Sequence, residues 1–349
     1  ADRADEINTC IGCNQACLDH IFLGRIASCL VNPRACHETE LHYPPVQNKK
    51  KIAVIGSGPA GLSFSTTAAA RGHEVTMFEQ SDTIGGQLNL ANQIPGKEEF
   101  NETIRYYKKQ LELCGVHLHL KLKVTTGQLL QGKFDEVVLA AGVLPRKPDI
   151  EGIDHPAVLN YVDVLLHKRE VGQRAAIVGA GGIGFDVAQF LTHPASSSSL
   201  DRDAFLEEWG VDRYYRMPGG LMGKLPQALS SGRRVYLLQR KTGKMGASLG
   251  KTTGWIHRHT LKQRNVTMIN AVTYNKIDDD GLHITLKGKP QIIEVDTIVI
   301  CAGQESNREL KEGLESAGMT VHLIGGAERA VELDAKRAID QGARLAAAI

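Results

Sequence analysis

Four of the seven cysteines fall between residues 10 and 29, spaced Cys10-x2-Cys13-x3-Cys17-x11-Cys29. Thiolate sulfur is a soft ligand, so four of them converging on one point can hold Zn²⁺ or an iron–sulfur cluster. Zinc sites usually pair their cysteines in two C-x2-C knuckles, and this segment has one. Three cysteines close together with a distant fourth is the arrangement expected of a 4Fe–4S cluster; zinc and plain buried or disulfide cysteines are the alternatives. Gly12 allows the first three to line a tight turn. A short helical excursion over 18–28 must then return the chain to Cys29, and Pro33 stops further helix. Cys36 is a spare. Cys114 and Cys301 stand alone in other elements and read as small core residues.

Two further constellations suit a dinucleotide. Gly56-Ser-Gly58-Pro-Ala-Gly61 and Gly179-Ala-Gly181-Gly-Ile-Gly184 are both G-x-G-x-x-G. In such a loop the first glycine makes the turn. The second lets pyrophosphate reach the backbone, and the third lets helix and strand pack closely. The helix N-terminus adds partial positive charge for the phosphates. Glu79 ends the next strand of the first unit, where a carboxylate accepts from a ribose 2′-hydroxyl. The second unit has Gln239-Arg240-Lys241 there instead, two cations that suit a 2′-phosphate. This points to NADPH rather than NADH at the second loop.

The elements that must position these residues are legible around them. Lys51–Gly56 is a short apolar run read as a buried parallel strand, followed by a helix from Ala60 to about Arg71 and a strand ending at Glu79. Ala175–Gly179, a helix to about Thr192 and the strand 234–239 repeat the pattern. Two echoing strands, 137–142 and 296–303, close the respective units. His193 to Gly232, with Ser196 to Ser199 at its start, is polar and irregular and reads as an insertion. The segment 321–326 leads into a helix from about Val331. The fold class expected is α/β: two Rossmann-like dinucleotide-binding domains, the second inserted in the first, behind an N-terminal iron–sulfur segment. Boundaries are expected at 1–45 for that segment, 46–160 with 291–349 for the first domain, and 161–290 for the second.

The chain has 349 residues, enough for two or three domains, with 42% hydrophobic and 23% charged residues. A net charge of +2 gives no reason to expect nucleic acid as partner. No apolar run approaches the ~18 residues that cross a bilayer. The sparse cysteines outside the first segment suit a reducing, cytoplasmic location rather than a disulfide scaffold. The first residue is Ala1, so a processed piece of a longer chain is one possibility. Its 36 glycines exceed the usual ~7% and concentrate in the loops just described.

Several stretches together carry a specific resemblance: CIGCNQAC, SCLVNPRACHE, IPGKEEF, IVGAGGIGFD, GKTTGWIHR, DTIVICAGQ and ELDAKRAI. In this order they closely resemble the C-terminal half of the bacterial NADPH-dependent 2,4-dienoyl-CoA reductases, within the trimethylamine dehydrogenase superfamily. The likeness covers the whole chain, loosely between 194 and 232. The resemblance implies a 4Fe–4S cluster on Cys10, Cys13, Cys17 and Cys29. It implies FAD at the first unit, on Gly56, Ser57, Gly58, Pro59, Ala60, Gly61, Glu79, Gln80, Gly86, Gln87, Val124, Ala141, Gly142, Gly303 and Gly326. NADPH falls to the second, on Gly179, Gly181, Gly182, Ile183, Gly184, Arg240 and Lys241. The Ile84-Gly-Gly-Gln87 stretch is where relatives bring a Gly-Gly to the FAD pyrophosphate. One departure stands out: Gly326 takes the place where relatives often carry an Asp on the flavin ribityl chain.

The implied activity is an electron relay. Hydride passes from NADPH to FAD, and single electrons pass through the cluster to FMN. The FMN lies in an N-terminal (β/α)8 barrel absent from this chain, and there reduces an unsaturated fatty acyl-CoA for β-oxidation. A flavin is required between a two-electron carrier and a one-electron cluster. Hydride transfer to flavin needs stacked rings rather than an acid or base, so no proton-transfer residue is expected here; His257 reads as structural. The rivals are an NADPH-dependent electron-transfer flavoprotein subunit and an amine-dehydrogenase-like relative with a vestigial ADP site. A disulfide reductase would need a C-x2-C or C-x4-C within a nucleotide unit, and none is present.

Overall fold

The computed structural model describes residues 2–194, 198–222, 231–331 and 334–349. It divides into two compact units. The first comprises Ala1–Asn92, Glu99–Leu144 and Gly303–Ile349; the second comprises Gln93–Glu98 and Pro145–Ala302.

The first unit is built on a five-stranded parallel sheet. Its order is Thr320–Leu323, Glu136–Leu139, Lys51–Ile55, Glu74–Phe78, His117–His119. Lys51–Ile55 is buried beyond its first residue, as expected of a strand covered on both faces. On one face Ile52, Val54, Val75 and Met77 meet Leu62, Phe64, Tyr107 and Leu111. These come from the helices Pro59–Ala70 and Phe100–Leu113. On the other face Ala53, Ile55, Val137 and Leu139 meet Leu129 and Leu314. The last helix, Ala335–Ala348, crosses Pro59–Ala70 at close range. A Cβ at Gly342 would lie 2.3 Å from the Ala60 carbonyl oxygen, so only glycine permits that crossing.

The second unit repeats the topology. Its sheet runs Val158–Asn160, Thr297–Ile300, Arg174–Val178, Arg234–Leu238, Thr267–Ile269, all parallel. One face is covered by a three-stranded antiparallel sheet: Val272–Asp278, Gly281–Leu286 and Lys289–Ile293. In both units the strand preceding the glycine loop sits between the strand that follows it in sequence and the strand that closes the unit. The order of strand addition therefore reverses there, the kind of switch point at which open α/β sheets bind ligands.

Several expectations need correction. The units exchange at Leu144/Pro145 and Ala302/Gly303, not at 160 and 290. The cause is strand pairing: Val158–Asn160 joins the second sheet beside Thr297–Ile300, so both belong to that unit. The segment Gln93–Glu98, expected in the first domain, belongs to the second unit. The helix expected over 18–28 covers only Leu18–Phe22. It stops because Gly24 takes φ +67° and the Arg25 amide bonds back to the His20 carbonyl, a glycine C-terminal cap. The insertion is less irregular than expected, since it holds the helix Arg202–Glu208, whose N-terminal amides at Asp203 and Ala204 bond to Asp201. Residues 195–197 and 223–230 of the insertion, Ser196 and Ser197 among them, lie outside the described residues, as do Glu332 and Leu333. The final helix begins at Ala335 rather than near Val331. Among the described residues no helix is long and apolar enough to cross a membrane.

Candidate nucleotide and cysteine sites

The two glycine loops have matching geometry. Gly56 and Gly179 adopt φ +102° and +112°, a region closed to most side chains. A Cβ at Gly56 would stand 2.5 Å from the Ala140 oxygen, and one at Gly179 2.5 Å from the Cys301 oxygen. Each first glycine thus turns against the end of its closing strand. The third glycines touch the first: a Cβ at Gly61 would lie 2.0 Å from the Gly56 oxygen, and one at Gly184 1.9 Å from the Gly179 oxygen. The second glycines differ. Gly58 and Gly181 cap the helices Pro59–Ala70 and Gly182–Thr192, and a Cβ on either would meet nothing within 4 Å. Both loops therefore present an open backbone face at a helix N-terminus, with room for an anion.

In the first unit Pro59 occupies the first helical turn, where its missing N–H costs nothing. Ser57 is buried, and its amide and hydroxyl both donate to Glu79 Oε2, at 2.9 and 2.8 Å. The Ser81 amide donates to the other oxygen at 2.9 Å. Glu79 is thus held beside the glycine loop, its side-chain oxygens accepting three hydrogen bonds with acceptor capacity to spare. Gln80, next to it, is exposed. The Gly-Gly stretch reaches the same loop: the Gly85 amide donates to the Ser57 oxygen at 2.9 Å. A Cβ at Gly86 would lie 2.9 Å from Gly58 Cα. Gln87 caps the short helix Leu88–Ala91. Val124 turns its side chain into the core with Ile55 and Leu139, leaving only its backbone to offer a ligand. Ala141 and Gly142 follow the closing strand, and Gly142, at φ +70°, accepts the Asn307 amide at 3.0 Å.

The departure at Gly326 has a physical reason. A Cβ there would meet Val143 Cγ1 at 2.7 Å and the Gly142 carbonyl carbon at 3.0 Å. An aspartate does not fit this backbone.

In the second unit Gly181 and Gly182 are exposed, and Ile183 is half-buried. Arg240 and Lys241 follow the strand Arg234–Leu238, and both are exposed. Gly303 adopts φ +99° at the return. Sequence reading missed the strap Gln93–Glu98. Lys97 Nζ forms an ion pair with Asp186 at 2.6 Å, and Gln189 Nε2 donates to the Pro95 oxygen at 2.9 Å. That leaves Gln189 Oε1 to face His257 Nδ1, 3.3 Å away, so Nδ1 carries the proton. Burial lowers the His257 pKa, and the nearby Lys97 adds to the effect. His257 is a neutral bracing residue. The Pro95-Gly96 break, with Gly96 at φ +88°, was the available signal.

The cysteine segment is anchored on the first unit. Leu30 and Val31 pack with Ile339 and Phe100, and Cys13 and Cys29 pack against the same cluster. The Ser28 amide donates to the Ala16 oxygen at 2.7 Å, closing the loop that brings Cys29 back toward Cys17. Gly12 adopts φ +63° and its amide points at Cys10 Sγ, 3.4 Å away. Burial raises the Cys13 pKa and the neighbouring Cys29, Cys17 and Cys10 raise it further, so the four thiols share one locality. All seven cysteines are free. Cys301 is buried, and burial pushes its thiol far above the ordinary range, which makes it inert.

A family model described as pyridine nucleotide-disulphide oxidoreductase matches residues 50–334. The chain is 34% identical over 332 residues to a metal reductase of Desulforamulus reducens, covering 93% of this chain and 48% of that protein. It is 28% identical to a bilirubin reductase of Mediterraneibacter gnavus, covering 98% and 47% respectively. A solved complex of 2-naphthoyl-CoA reductase superposes with a TM-score of 0.83 at 29% identity, over 99% of this chain and 47% of that one. The chain spans about half the length of the curated relatives it matches. With its two G-x-G-x-x-G cradles and its match over most of its length, the chain belongs to the pyridine nucleotide-disulphide oxidoreductases, a family whose nucleotide-binding folds take FAD and NAD(P).

Proposed function

We propose that this chain is the electron-input half of an NADPH-dependent 2,4-dienoyl-CoA reductase. The observation that carries the reading is the presence, in one chain, of two matched nucleotide cradles and four neighbouring free cysteines, of which Cys13 and Cys29 pack on the first unit. On this reading the first unit binds FAD and the second binds NADPH. Gly58 receives the FAD pyrophosphate, Gly56 and Gly61 hold the turn behind it, Gly86 packs closely against it, and Glu79 receives the ribose. Arg240 and Lys241 receive the 2′-phosphate. When bound, FAD supplies the conversion of a two-electron hydride into single electrons. The chain's own work is to hold both nucleotides at helix N-termini and to keep Cys301 out of the chemistry.

Cys10, Cys13, Cys17 and Cys29 would hold the 4Fe–4S cluster: three thiols close together in sequence, with the loop closed by the Ser28–Ala16 hydrogen bond returning Cys29 toward them, supply the four soft thiolates such a cluster takes.

The partner on this reading is an N-terminal FMN barrel that reduces an unsaturated fatty acyl-CoA. Leu18, Ile21, Phe22, Leu23 and Ile26 are exposed beside exposed Cys10 and Cys17, an apolar face of the kind that seats a partner. The similarity to a 2-naphthoyl-CoA reductase supports a coenzyme A thioester as the substrate class.

Anaerobic stopped-flow absorbance tests the reading. Mixed with NADPH, the cofactor-loaded chain should bleach its flavin much faster than with NADH, and EPR should then show a reduced cluster. Flavin that stays oxidised would instead favour a vestigial ADP site. The paired substitution Arg240→Ala, Lys241→Ala should raise the NADPH Michaelis constant by about tenfold or more, the loss of charge-assisted bonds to phosphate. NADH kinetics should hardly change. An unaltered NADPH/NADH ratio would remove the 2′-phosphate assignment.

A further inference from the structure

The second unit contains a buried hydroxyl with nothing to bond. Tyr274 Oη is shielded from solvent and has no hydrogen-bond partner. Buried polar atoms are nearly always paired, so such an orphan calls for a reason. Its surroundings supply one. Tyr236 and Leu238 alternate along the strand Arg234–Leu238 and face the antiparallel sheet, where Tyr274 packs in the same cluster. Arg240 continues that alternation one step beyond the strand. The two segments are tied at this end: the Val272 amide donates to the Gln239 oxygen at 3.1 Å, and the Ala271 amide to the Lys241 oxygen at 3.2 Å. Burial raises the Tyr274 pKa, and Arg240 is the charge that acts on it in the other direction. The Tyr274 side chain thus packs between the two sheets near the strand end that carries the exposed Arg240, where a phosphorylated ribose would lie.

We infer that the Tyr274 hydroxyl is a third member of the 2′-phosphate site, donating a hydrogen bond to the phosphate when Arg240 swings onto it. This rests on the reading of the second cradle as an NADPH site. Tyrosine O–H is a donor in want of an acceptor here, and a phosphate oxygen is a strong one. A nucleotide without the 2′-phosphate leaves the hydroxyl as it is in the free chain, so Tyr274 acts on specificity rather than on nucleotide binding in general.

The test uses the full cofactor-loaded chain, with adenosine 2′,5′-bisphosphate and 5′-AMP as probes in titration calorimetry. Tyr274→Phe should weaken the bisphosphate about tenfold, the effect of one hydrogen bond to a charged group, and leave 5′-AMP unchanged. Its melting temperature should be equal or higher, because the substitution removes an unsatisfied buried group. Unchanged bisphosphate affinity, equal losses for both probes, or a lower melting temperature would each overturn the inference. If Arg240→Ala weakens the bisphosphate while Tyr274→Phe does not, the NADPH reading stands and Tyr274 falls out of it. A wild-type chain that binds both probes equally would instead overturn the NADPH reading itself.

Discussion

Gly184→Ala should abolish nucleotide binding at the second cradle by breaking the protein, whereas Gly181→Ala should abolish it by blocking the ligand. The two glycines are three residues apart in one loop, yet their surroundings differ completely. A methyl on Gly184 would sit 1.9 Å from the Gly179 oxygen and 3.4 Å from Leu237 Cδ1. The Gly179 oxygen cannot retreat, because Gly179 is fixed at φ +112° against Cys301. Overpacking of this kind costs about 3 kcal/mol or more, since backbone rather than a flexible side chain must move. A methyl on Gly181 meets nothing within 4 Å. It points into the open face where the pyrophosphate approaches the backbone. Gly181→Ala should therefore melt like the wild type and bind NADPH at least roughly tenfold more weakly, the equivalent of one lost charge-assisted bond. Gly61→Ala and Gly58→Ala should repeat the contrast in the first unit, with flavin retention as the readout. A Gly184→Ala protein with unchanged melting and affinity would mean that the loop does not have this geometry.

That contrast also marks how far a sequence reveals such a site. The G-x-G-x-x-G cradles were legible because their pattern is local: strand, turn, helix and next strand are contiguous, and each third glycine answers the first, although the closing strands against which Gly56 and Gly179 turn lie far away in sequence. Glu79 was legible for the same reason, although its bonds to Ser57 and Ser81 were not. What depends on pairing across long separations was hidden. The strand Val158–Asn160 pairs with Thr297–Ile300, and no local pattern assigns it to the second sheet. The strap Gln93–Glu98 looks like an ordinary loop until Lys97 finds Asp186. The absence of aspartate at 326 was visible as a departure, but its cause lies in Gly142 and Val143, far away in sequence. Tyr274 carried no signal, because an alternating strand of polar and apolar residues does not show which hydroxyl lacks a partner.

Cys17→Ser should separate the two halves of the relay. Serine oxygen is a hard ligand and a poor substitute for thiolate at iron, so the cluster should be lost or unstable. Cys17 is exposed at the start of the short helix Leu18–Phe22, and it is not among the residues that pack against Leu30, Val31 and Ile339. The substitution should therefore leave the first unit folded. It also lies outside both glycine loops, so NADPH should still bleach the flavin at the wild-type rate. The EPR signal of the reduced cluster should disappear. On the proposed reading, joining the chain to an FMN barrel should give dienoyl-CoA reduction that falls to background in the Cys17→Ser variant, while NADPH oxidation with an artificial two-electron acceptor persists. Cys36→Ser serves as the control: it is exposed too, lies beyond the four-cysteine set, and should change none of these readouts. The discriminating result is dienoyl-CoA turnover in the Cys17→Ser enzyme. If turnover stays at the wild-type rate with the cluster signal gone, electrons reach the barrel by another path, and the four cysteines serve the fold rather than the relay.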